Sequence, residues 1–467
     1  MSCTKYIPVL LLFTVTFFSC KKDSFIKSTD ARLNVSADTL KFDTVFTTTG
    51  SVTQTFKIFN LNDQKLLLSK VKLMGGSSSF FKINVDGVAA SEVNNLEVAA
   101  NDSLYVFVQV HIDPSAANLP FVIRDSILIN YNNNDKYIQL EAYGKNANFL
   151  RNTKISGNVT WTNNLPYVIL GGLVIDTTAT LNIQPGTNIY LHADAPIIVD
   201  GTLHVNGTLL NKVIFTGDRL DPDYRDLPAS WPGIYFMPSS KDNTLVFAVI
   251  KNAFQGLVAQ ELSTNLNPKL RISQCVIDNI YDAGILGVNT NIYADNSLIS
   301  NCGNNVLLGL GGDYKFTHCT VASYGTLFIS HKKPVLQVSN YAMQNNQTFT
   351  AALNAVFTNC IFWGDGGTVE DEVVVLREGN DTFSVNFDHD LYKVNKDPLS
   401  TDSSGIIKNQ DPVFDSVNVD KPYFDFHFNN TPNAPAVDNG VLTAFPKDLD
   451  DKPRVIGVRS DLGCYER

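Results

Sequence analysis

Four carboxylates lie close together in the segment 218–226, just ahead of Trp231. They belong to Asp218, Asp221, Asp223 and Asp226. Calcium prefers such hard oxygen ligands, so the segment is a candidate calcium site. Arg219 and Arg225 interrupt it, and their guanidinium groups can pair with the carboxylates themselves. The pattern therefore favours a solvated loop with internal ion pairs and no metal. Calcium is the alternative, and no other cofactor is indicated.

Two further carboxylates flank an imidazole in the sequence Asp388-His389-Asp390. Carboxylate pairs act as acid and base in glycoside hydrolysis, and lysine or arginine takes part in elimination beside a uronate carboxylate. The motifs of pectinase-like hydrolases, such as Asn-Thr-Asp and Gly-His-Gly, are absent from the chain. We also find no Asp pair and no Lys, Arg or His set at the repeat spacing given below. A polar turn is therefore expected at His389, and no catalytic residue is assigned.

Three aromatic residues are candidates for binding a sugar. Trp363 and Tyr281 are expected on the solvent side of the fold, and Tyr341 lies in an insertion, 330–350, that is rich in amides. Aromatic rings offer an apolar face, and amides hydrogen-bond to hydroxyl groups. Packed aromatic residues and ordinary long loops have the same composition, so both interpretations stay open.

The remaining cysteines and histidines do not indicate a metal site. Downstream of residue 20 the cysteines are Cys275, Cys302, Cys319, Cys360 and Cys464. Their number is odd and no CxxC pair occurs, so neither a disulfide framework nor zinc is expected. His192, His204 and His318 fall on separate predicted strands and are expected to face outward.

The composition indicates a folded, mainly β protein of more than one domain. The chain has 467 residues, with 44% apolar and 18% charged residues. Many Thr, Val, Ile, Asn and Asp residues suit strands and turns. A formal charge of −10 argues against nucleic acid as a partner, because phosphate binding needs a basic surface.

Five short segments repeat in the second half of the chain. They begin at Ala248, Cys275, Ser297, Cys319 and Cys360, so successive starts are 27, 22, 22 and 41 residues apart, and 41 is one 22-residue turn plus 19 inserted residues. The first and third positions of each segment are small and then apolar, which places them on one face. Asn occupies the fifth position in three of the five, at Asn252, Asn279 and Asn301. Coils of this length that stack about 4.8 Å apart form a parallel β-helix, with cysteines inside and Asn at the turns.

Short alternating strands fill residues 33–144, at the spacing of a β-sandwich. The clearest runs from Leu104 to Ile112, with apolar residues at every second position and His111 on the other face. Segments Leu40 to Phe46, Thr55 to Asn60 and Ile138 to Gly144 occur in an order that resembles immunoglobulin-like domains of the ASPM/SPD-2/Hydin type. That resemblance implies a spacer or binding module.

The N-terminus has the features of an export signal. Lys5 precedes an apolar run, 6–18, that is too short to span a bilayer and ends at Ser19-Cys20. It resembles a lipoprotein signal of the Bacteroidetes type, with Lys21-Lys22-Asp23 as a charged tether. The resemblance implies acylation of Cys20, which would anchor the protein to the bacterial envelope, in the outer membrane with exposure at the cell surface. A cleaved secretion signal is the alternative.

Two more resemblances concern the rest of the chain. The order of the segments Ala179 to Thr187, Ile198 to Leu203, Val213 to Thr216 and Trp231 to Ile234 resembles the first coils of bacterial right-handed parallel β-helices of the pectin lyase-like kind. The tail segments Ala436 to Gly440, Asp448 to Arg454 and Asp461 to Glu466 resemble the choice-of-anchor Q region of surface proteins. The expected organisation is a signal peptide 1–19, a tether 20–32, an Ig-like sandwich 33–144, a link 145–152, a β-helix 153–394 and a closing C-terminal region 395–467.

Two functions remain in view. The first is a membrane-anchored surface lipoprotein whose non-catalytic β-helix offers a rigid surface to glycan or protein. The second is a polysaccharide lyase or glycoside hydrolase on the same fold. Because β-helices occur both in binding proteins and in enzymes, the fold does not separate the two functions. Only the absence of a recognisable acid and base set favours the binding protein.

Overall fold

The computed structural model describes residues 24–46, 53–110, 121–145, 147–220, 224–418 and 423–467. Cys20, His111, Asp221 and Asp223 lie outside the described residues. The described chain is all-β, and its one helix is the short 3-10 helix Gly76–Ser78. Among these residues no helix is long and apolar enough to cross a membrane. The chain divides into two units, with the boundary after residue 144.

Ten strands in two five-stranded sheets make up the first unit. They are β1 (Leu33–Val35), β2 (Thr39–Phe46), β3 (Gln54–Asn60), β4 (Leu66–Leu73), β5 (Phe81–Val85), β6 (Val88–Ala89), β7 (Glu92–Val98), β8 (Ser103–Val110), β9 (Phe121–Tyr131) and β10 (Asn134–Lys145). The strand orders are β1-β3-β8-β5-β6 and β2-β10-β9-β4-β7. Every second residue of β8 from Leu104 to Val110 is buried, which confirms the predicted alternation there. Apolar residues from both sheets form one core.

Thirty strands make up the second unit. They are β11 (Asn148–Ile155), β12 (Asn158–Trp161), β13 (Tyr167–Ile175), β14 (Thr180–Ile183), β15 (Asn188–Leu191), β16 (Ile197–Val199), β17 (Thr202–Asn206), β18 (Val213–Gly217), β19 (Ile234–Phe236), β20 (Asn243–Val246), β21 (Ala248–Lys251), β22 (Leu257–Gln260), β23 (Leu270–Ser273), β24 (Val276–Asp278), β25 (Ala283–Asp295), β26 (Leu298–Ser300), β27 (Asn304–Thr317), β28 (Thr320–Ser323), β29 (Leu336–Ser339), β30 (Tyr341–Gln344), β31 (Gln347–Thr350), β32 (Leu353–Thr358), β33 (Ile361–Gly364), β34 (Val373–Leu376), β35 (Phe383–Asp388), β36 (Leu391–Tyr392), β37 (Asp402–Ser404), β38 (Ile407–Lys408), β39 (Phe414–Asn418) and β40 (Tyr423–Phe428). All but β30, β31, β39 and β40 belong to one 26-stranded sheet.

The pairing in this large sheet is consistent with a parallel β-helix. Each strand runs parallel to the strand one coil further on, as β21 does to β24 and β24 to β26. The register joins Val276 to Leu298, Leu298 to Thr320 and Thr320 to Ile361. These are equivalent positions of the predicted segments, so the repeat alignment is confirmed, including the insertion before the fifth segment.

The interior of the coils is apolar, as the repeat predicts. Cys275, Cys319 and Cys360 are buried together with the apolar third residue of each segment. All five cysteines of the described chain are free and buried. Thiols and aliphatic groups therefore stack in line along the sheet, which gives continuous van der Waals contact from coil to coil.

The asparagines of the repeat lie at the predicted turns. Asn252, Asn279 and Asn301 have φ angles of 64°, 57° and 49°. Asn adopts this left-handed conformation more readily than most residues with a side chain. The Asn279 amide also donates a 2.9 Å hydrogen bond to the Oδ1 atom of Asn252, so neighbouring turns are tied together.

The structure differs from the expected organisation at both ends of the β-helix. Residues 145–152 were expected to be a link, yet β11 begins at Asn148 and pairs with β13. At the other end, β37 and β38 continue the parallel sheet beyond residue 394. The C-terminal part of the chain contacts the side of the coils.

We call residues 434–467 the C-terminal strap. It hydrogen-bonds to four successive coils, through Asp448 to Gln274, Arg454 to Asn296, Cys464 to Thr320 and Gly463 to Asn359. With β39 and β40 it buries the outer side chains of the coils in a second apolar cluster. The cluster contains Leu298, Ala322, Ile361, Trp363, Leu391, Phe414, Phe426, Leu449 and Leu462. One flank of the sheet is thereby removed from solvent.

Candidate functional site

A ladder of three polar side chains lies on an uncovered flank of the parallel sheet. Arg271 pairs in register with Tyr293, and Tyr293 with Lys315, on β23, β25 and β27. Their neighbours in each strand, such as Ile292 and Phe316, are buried, so strand alternation turns the ladder outward. Arg271 and Lys315 are exposed, and Tyr293 is half-buried between them.

A carboxylate organises the centre of this ladder. The Tyr293 hydroxyl donates a 2.7 Å hydrogen bond to Asp313 Oδ2, and the Asn354 amide donates one of 2.7 Å to Asp313 Oδ1. The hydrogen bond to Asp313, together with burial, raises the pKa of Tyr293 above its usual value. The phenol therefore stays protonated and acts as a donor. We call Arg271, Tyr293, Asp313, Lys315 and Asn354 the polar face.

The two cations of the polar face are exposed to solvent. The Arg271 guanidinium lies 5.5 Å from the centre of the Tyr293 ring. The charge of Arg271 also acts on Asp295, where burial raises the pKa and the guanidinium lowers it in part. Strands of neighbouring coils lie about 4.8 Å apart, so the two attachment points are separated by about 10 Å. The sheet therefore fixes the attachment points of two positive charges, with an aromatic ring between them.

One titratable carboxyl borders the polar face. The Ser273 hydroxyl donates a 2.6 Å hydrogen bond to Asp295 Oδ2. Burial is the main reason that the pKa of Asp295 rises to about 6. The fraction of Asp295 that carries a negative charge beside Arg271 therefore falls as the solution becomes mildly acidic.

Sequence reasoning missed the polar face. The sequence shows no Lys, Arg or His set at the repeat spacing, because a tyrosine occupies the middle position of this column. Residues 271, 293 and 315 are separated by 22 and 22 residues, which is the predicted coil length. Arg, Tyr and Lys occupy equivalent positions of three successive coils, so a search for one type of residue does not find them. A search for polar residues of any type at the 22-residue spacing would find them.

Two carboxylates of the acidic segment before Trp231 contact basic side chains. Asp218 Oδ2 lies 2.7 Å from His192 Nδ1, and burial is the main reason that the pKa of Asp218 is raised. Asp226 contacts Arg225 at 3.2 Å and Lys251 at 3.4 Å. These contacts agree with the ion-paired interpretation. In the described part of the chain, no three His, Cys, Asp or Glu side chains are grouped so as to hold a metal ion.

The three aromatic candidates have different surroundings. The prediction that Trp363 faces solvent is wrong, because β39, β40 and the strap leave it only 6% exposed. Tyr281 is 52% exposed and stacks on Phe254. Tyr341 is half-buried at the base of the hairpin formed by β30 and β31. The structure does not bring these three residues together.

The Asp388-His389-Asp390 sequence forms a turn with internal hydrogen bonds. His389 has a φ of 55°, and its Nδ1 atom lies 2.8 Å from Asp388 Oδ1. The Ser404 hydroxyl donates to that same oxygen at 2.7 Å. Asp390 is buried, accepts a 2.6 Å hydrogen bond from the Cys360 amide, and has a pKa raised well above its usual range by burial. The polar-turn interpretation accounts for all of these contacts.

The histidines predicted to face outward do not all do so. His192 is exposed and His204 is half-buried, with Nδ1 2.8 Å from Thr244 Oγ1. His318 is fully buried, and the prediction for it is wrong. Its Nε2 atom lies 3.1 Å from Thr443 Oγ1, because the strap covers this corner of the coil. Burial lowers the pKa of His318 well below its usual value.

Comparison with known proteins assigns no family. No protein-family model matches the chain, and no curated protein sequence matches it. The catalytic unit of a GH87 α-1,3-glucanase from Streptomyces thermodiastaticus is 10% identical over 76% of this chain and 89% of that chain, with a TM-score of 0.25. A family 123 glycoside hydrolase from Clostridium perfringens is 11% identical over 28% of this chain and 31% of that one, with a TM-score of 0.20.

A third solved structure, the VesB protease from Vibrio cholerae, is 16% identical over 26% of this chain and 33% of that chain, with a TM-score of 0.17. The chain thus spans about a third of the length of the hydrolase from Clostridium and of this protease. At such identities and TM-scores these likenesses carry no functional argument. The molecule is defined by its own features, an all-β chain with a large parallel sheet and a polar ladder along one flank.

Proposed function

We propose that the parallel-sheet unit binds acidic glycans without degrading them, as part of a lipid-anchored bacterial surface protein. The observation that carries this proposal is the in-register ladder of Arg271, Tyr293 and Lys315. Guanidinium and ammonium groups bind carboxylate or sulfate through charge-assisted hydrogen bonds, and the tyrosine adds the apolar face of its ring. Since the ladder is attached to paired strands, its backbone needs no reordering when a polymer binds along it.

The chemistry of the polar face favours binding over catalysis. A general base must take a proton, whereas the Tyr293 hydroxyl already donates to Asp313 and has a raised pKa. Both oxygens of Asp313 accept hydrogen bonds, from Tyr293 and Asn354. These contacts hold the side chains in place and leave the two cations as the groups available to a ligand. A polysaccharide lyase or glycoside hydrolase on this fold is the competing function.

The rest of the proposal concerns location and architecture. Acylation of Cys20 would attach the chain to the envelope, with the outer membrane and the cell surface as its site. The first unit would act as an immunoglobulin-like spacer, and the second as a right-handed β-helix with a choice-of-anchor Q-like tail. Expected partners are the membrane, through the lipid, and a polysaccharide or surface protein. Nucleic acid is not among the expected partners.

The test uses the full chain, purified in detergent, with polygalacturonate, alginate and heparin as probes and dextran as the uncharged control. We expect binding to at least one acidic polymer and weaker binding as salt is added. A variant carrying Arg271→Gln and Lys315→Gln should lose about tenfold or more in affinity, because each cation contributes a charge-assisted hydrogen bond.

The matched control carries Lys332→Gln and Lys333→Gln, which removes the same charge from an exposed loop. It should retain the affinity of the wild-type chain. The proposal is overturned if no acidic polymer binds, or if both double variants lose affinity equally. Sustained formation of unsaturated or reducing products during the same incubations would establish the enzyme instead.

A further inference from the structure

Two aromatic rings from neighbouring coils stack on the surface at a second location. The rings of Phe254 and Tyr281 have centroids 5.7 Å apart and an interplanar angle of 25°. They are 43% and 52% exposed, so each ring keeps about half of its surface open. They follow β21 and β24, whereas the polar face lies on β23, β25 and β27. This pair is therefore a separate feature of the second unit.

The backbone fixes this pair and leaves it uncovered. The Tyr281 amide donates to the Ala253 carbonyl at 3.0 Å, and the Asp282 amide to the Phe254 carbonyl at 2.8 Å. In the next coil the neighbouring position is Gly303, where an added Cβ atom would lie 2.2 Å from the Tyr281 carbonyl oxygen. Only glycine fits there, so no side chain from that position can cover the tyrosine.

Hydrogen-bonding groups border the aromatic pair. The Gln255 amide donates a 2.8 Å hydrogen bond to Asp282 Oδ2, which orients both side chains. The hydroxyl of Tyr235 donates to the Pro232 carbonyl at 3.1 Å. Burial first, and then the charge of Asp282, raises the pKa of Tyr235, which therefore remains a neutral hydroxyl near the carboxylate. An apolar surface and oriented amide, carboxylate and hydroxyl groups thus occur side by side.

We propose that Phe254 and Tyr281, with Gln255 and Asp282, form a binding site for an uncharged pyranose unit of a polysaccharide. A pyranose has an apolar face of C–H groups and a rim of hydroxyls. The aromatic rings contact the apolar face, while the Asp282 carboxylate accepts and the Gln255 amide exchanges hydrogen bonds with hydroxyls. A carboxylate at the rim disfavours an acidic sugar, so this site takes a ligand class different from that of the polar face.

This inference shares with the proposed function only the idea that the ligand is a glycan. Its test uses affinity electrophoresis of the full chain in gels that contain hydroxyethylcellulose or galactomannan, neither of which is charged. The wild-type chain should be retarded in at least one gel. Tyr281→Ala should weaken the interaction about tenfold, whereas Tyr281→Trp should keep it, because an aromatic ring is what the site requires.

Phe349→Ala is the matched control, since Phe349 is also an exposed aromatic residue. It should migrate like the wild-type chain. Asp282→Asn keeps the shape of the rim and should weaken binding less than Tyr281→Ala does. The inference is overturned if no neutral gel retards the wild-type chain, or if Tyr281→Ala is retarded equally while its thermal unfolding is unchanged. Loss of Arg271 and Lys315 should not alter these results, so failure of the two proposals can be told apart.

Discussion

His427 lies between two carboxylates, with its Nε2 atom 2.8 Å from Asp450 Oδ2 and its Nδ1 atom in contact with Asp425 Oδ1. Its ring also stacks on Tyr465, with centroids 3.8 Å apart. Asp450 is in turn 3.7 Å from the ammonium group of Lys452. The pair joins β40 to the C-terminal strap, because His427 belongs to the first and Asp450 to the second.

We expect this contact to make the stability of the protein pH-dependent. Asp450 first, and then Asp425, raises the pKa of His427 above that of a free histidine. The stabilisation is therefore complete below the unfolded-state pKa of about 6.5 and is lost as the pH rises through the folded-state value. Chemical denaturation between about pH 6 and pH 9 should show a falling free energy of unfolding, with a smaller slope in His427→Gln. Equal slopes in the two proteins would contradict the prediction.

The buried thiols should resist modification. Burial raises the pKa of Cys275 to about 12, so near neutral pH its thiol is neither ionised nor accessible. Cys319 and Cys360 lie at equivalent positions of the coils and are also buried. A bulky maleimide should label these three residues slowly in the native chain and rapidly after denaturation in guanidinium chloride, as measured by mass spectrometry of peptides. Fast labelling of the native protein would mean that the register is wrong.

The part of the fold that repeats could be predicted from the sequence, and the part that covers it could not. Positions 275, 297 and 319 share a small residue followed by an apolar one two residues later, so a local pattern specifies the stacking. The strap makes contacts such as the one from the Cys464 amide to Thr320, which joins residues 144 positions apart. No local pattern contains that pairing. Sequence reasoning therefore predicts Trp363 and His318 at the surface, whereas the strap buries both.

The ionic contacts of the strap should be important for its attachment. The Arg454 guanidinium is buried, donates to Asn296 Oδ1 at 2.5 Å and lies 3.6 Å from Glu466 Oε2. Burial raises the pKa of Glu466 to about 7, so Glu466 can become protonated when the cation is lost. Arg454→Met would also leave the buried Asn296 Oδ1 without its donor, and we expect it to lower the free energy of unfolding by about 1–3 kcal/mol. Hydrogen exchange within residues 448–466 should accelerate strongly. Arg459→Met is the control, because Arg459 is exposed on the same strap and its loss should change little.

Cys20 should be the acylated first residue of the mature protein. Although it lies outside the described residues, the apolar run ends directly before it. Cys20→Ser should remain uncleaved or become soluble, because acyl chains would no longer hold the protein in the bilayer. Detergent phase separation and intact-mass measurement test this in a bacterial host. A Cys20→Ser chain that still fractionates as an acylated membrane species would show that the anchor is elsewhere or absent.

The last prediction is that uronic acid polymers are bound but not degraded. Elimination from a uronate needs a cation beside the carboxylate and a base that removes the adjacent proton. Arg271 and Lys315 supply cations, but the Tyr293 hydroxyl between them donates to Asp313 and has a raised pKa. The Tyr293 hydroxyl would have to lose its proton before its oxygen could act as a base. The neighbouring carboxylate of Asp313 opposes that loss.

The measurement is incubation of the full chain with polygalacturonate, alginate and a glycosaminoglycan, with and without calcium. Unsaturated products are followed by ultraviolet absorbance and reducing ends by a colorimetric assay. Neither should rise above a heat-denatured control, while the same polymers retard the chain in affinity gels.

Tyr293→Phe separates the two roles of the hydroxyl. If it weakens binding and no product appears with either protein, the hydroxyl acts through its hydrogen bond to Asp313, which holds the polar face in place. If the wild-type chain releases product and Tyr293→Phe does not, the hydroxyl takes part in proton transfer and the polar face is an active site.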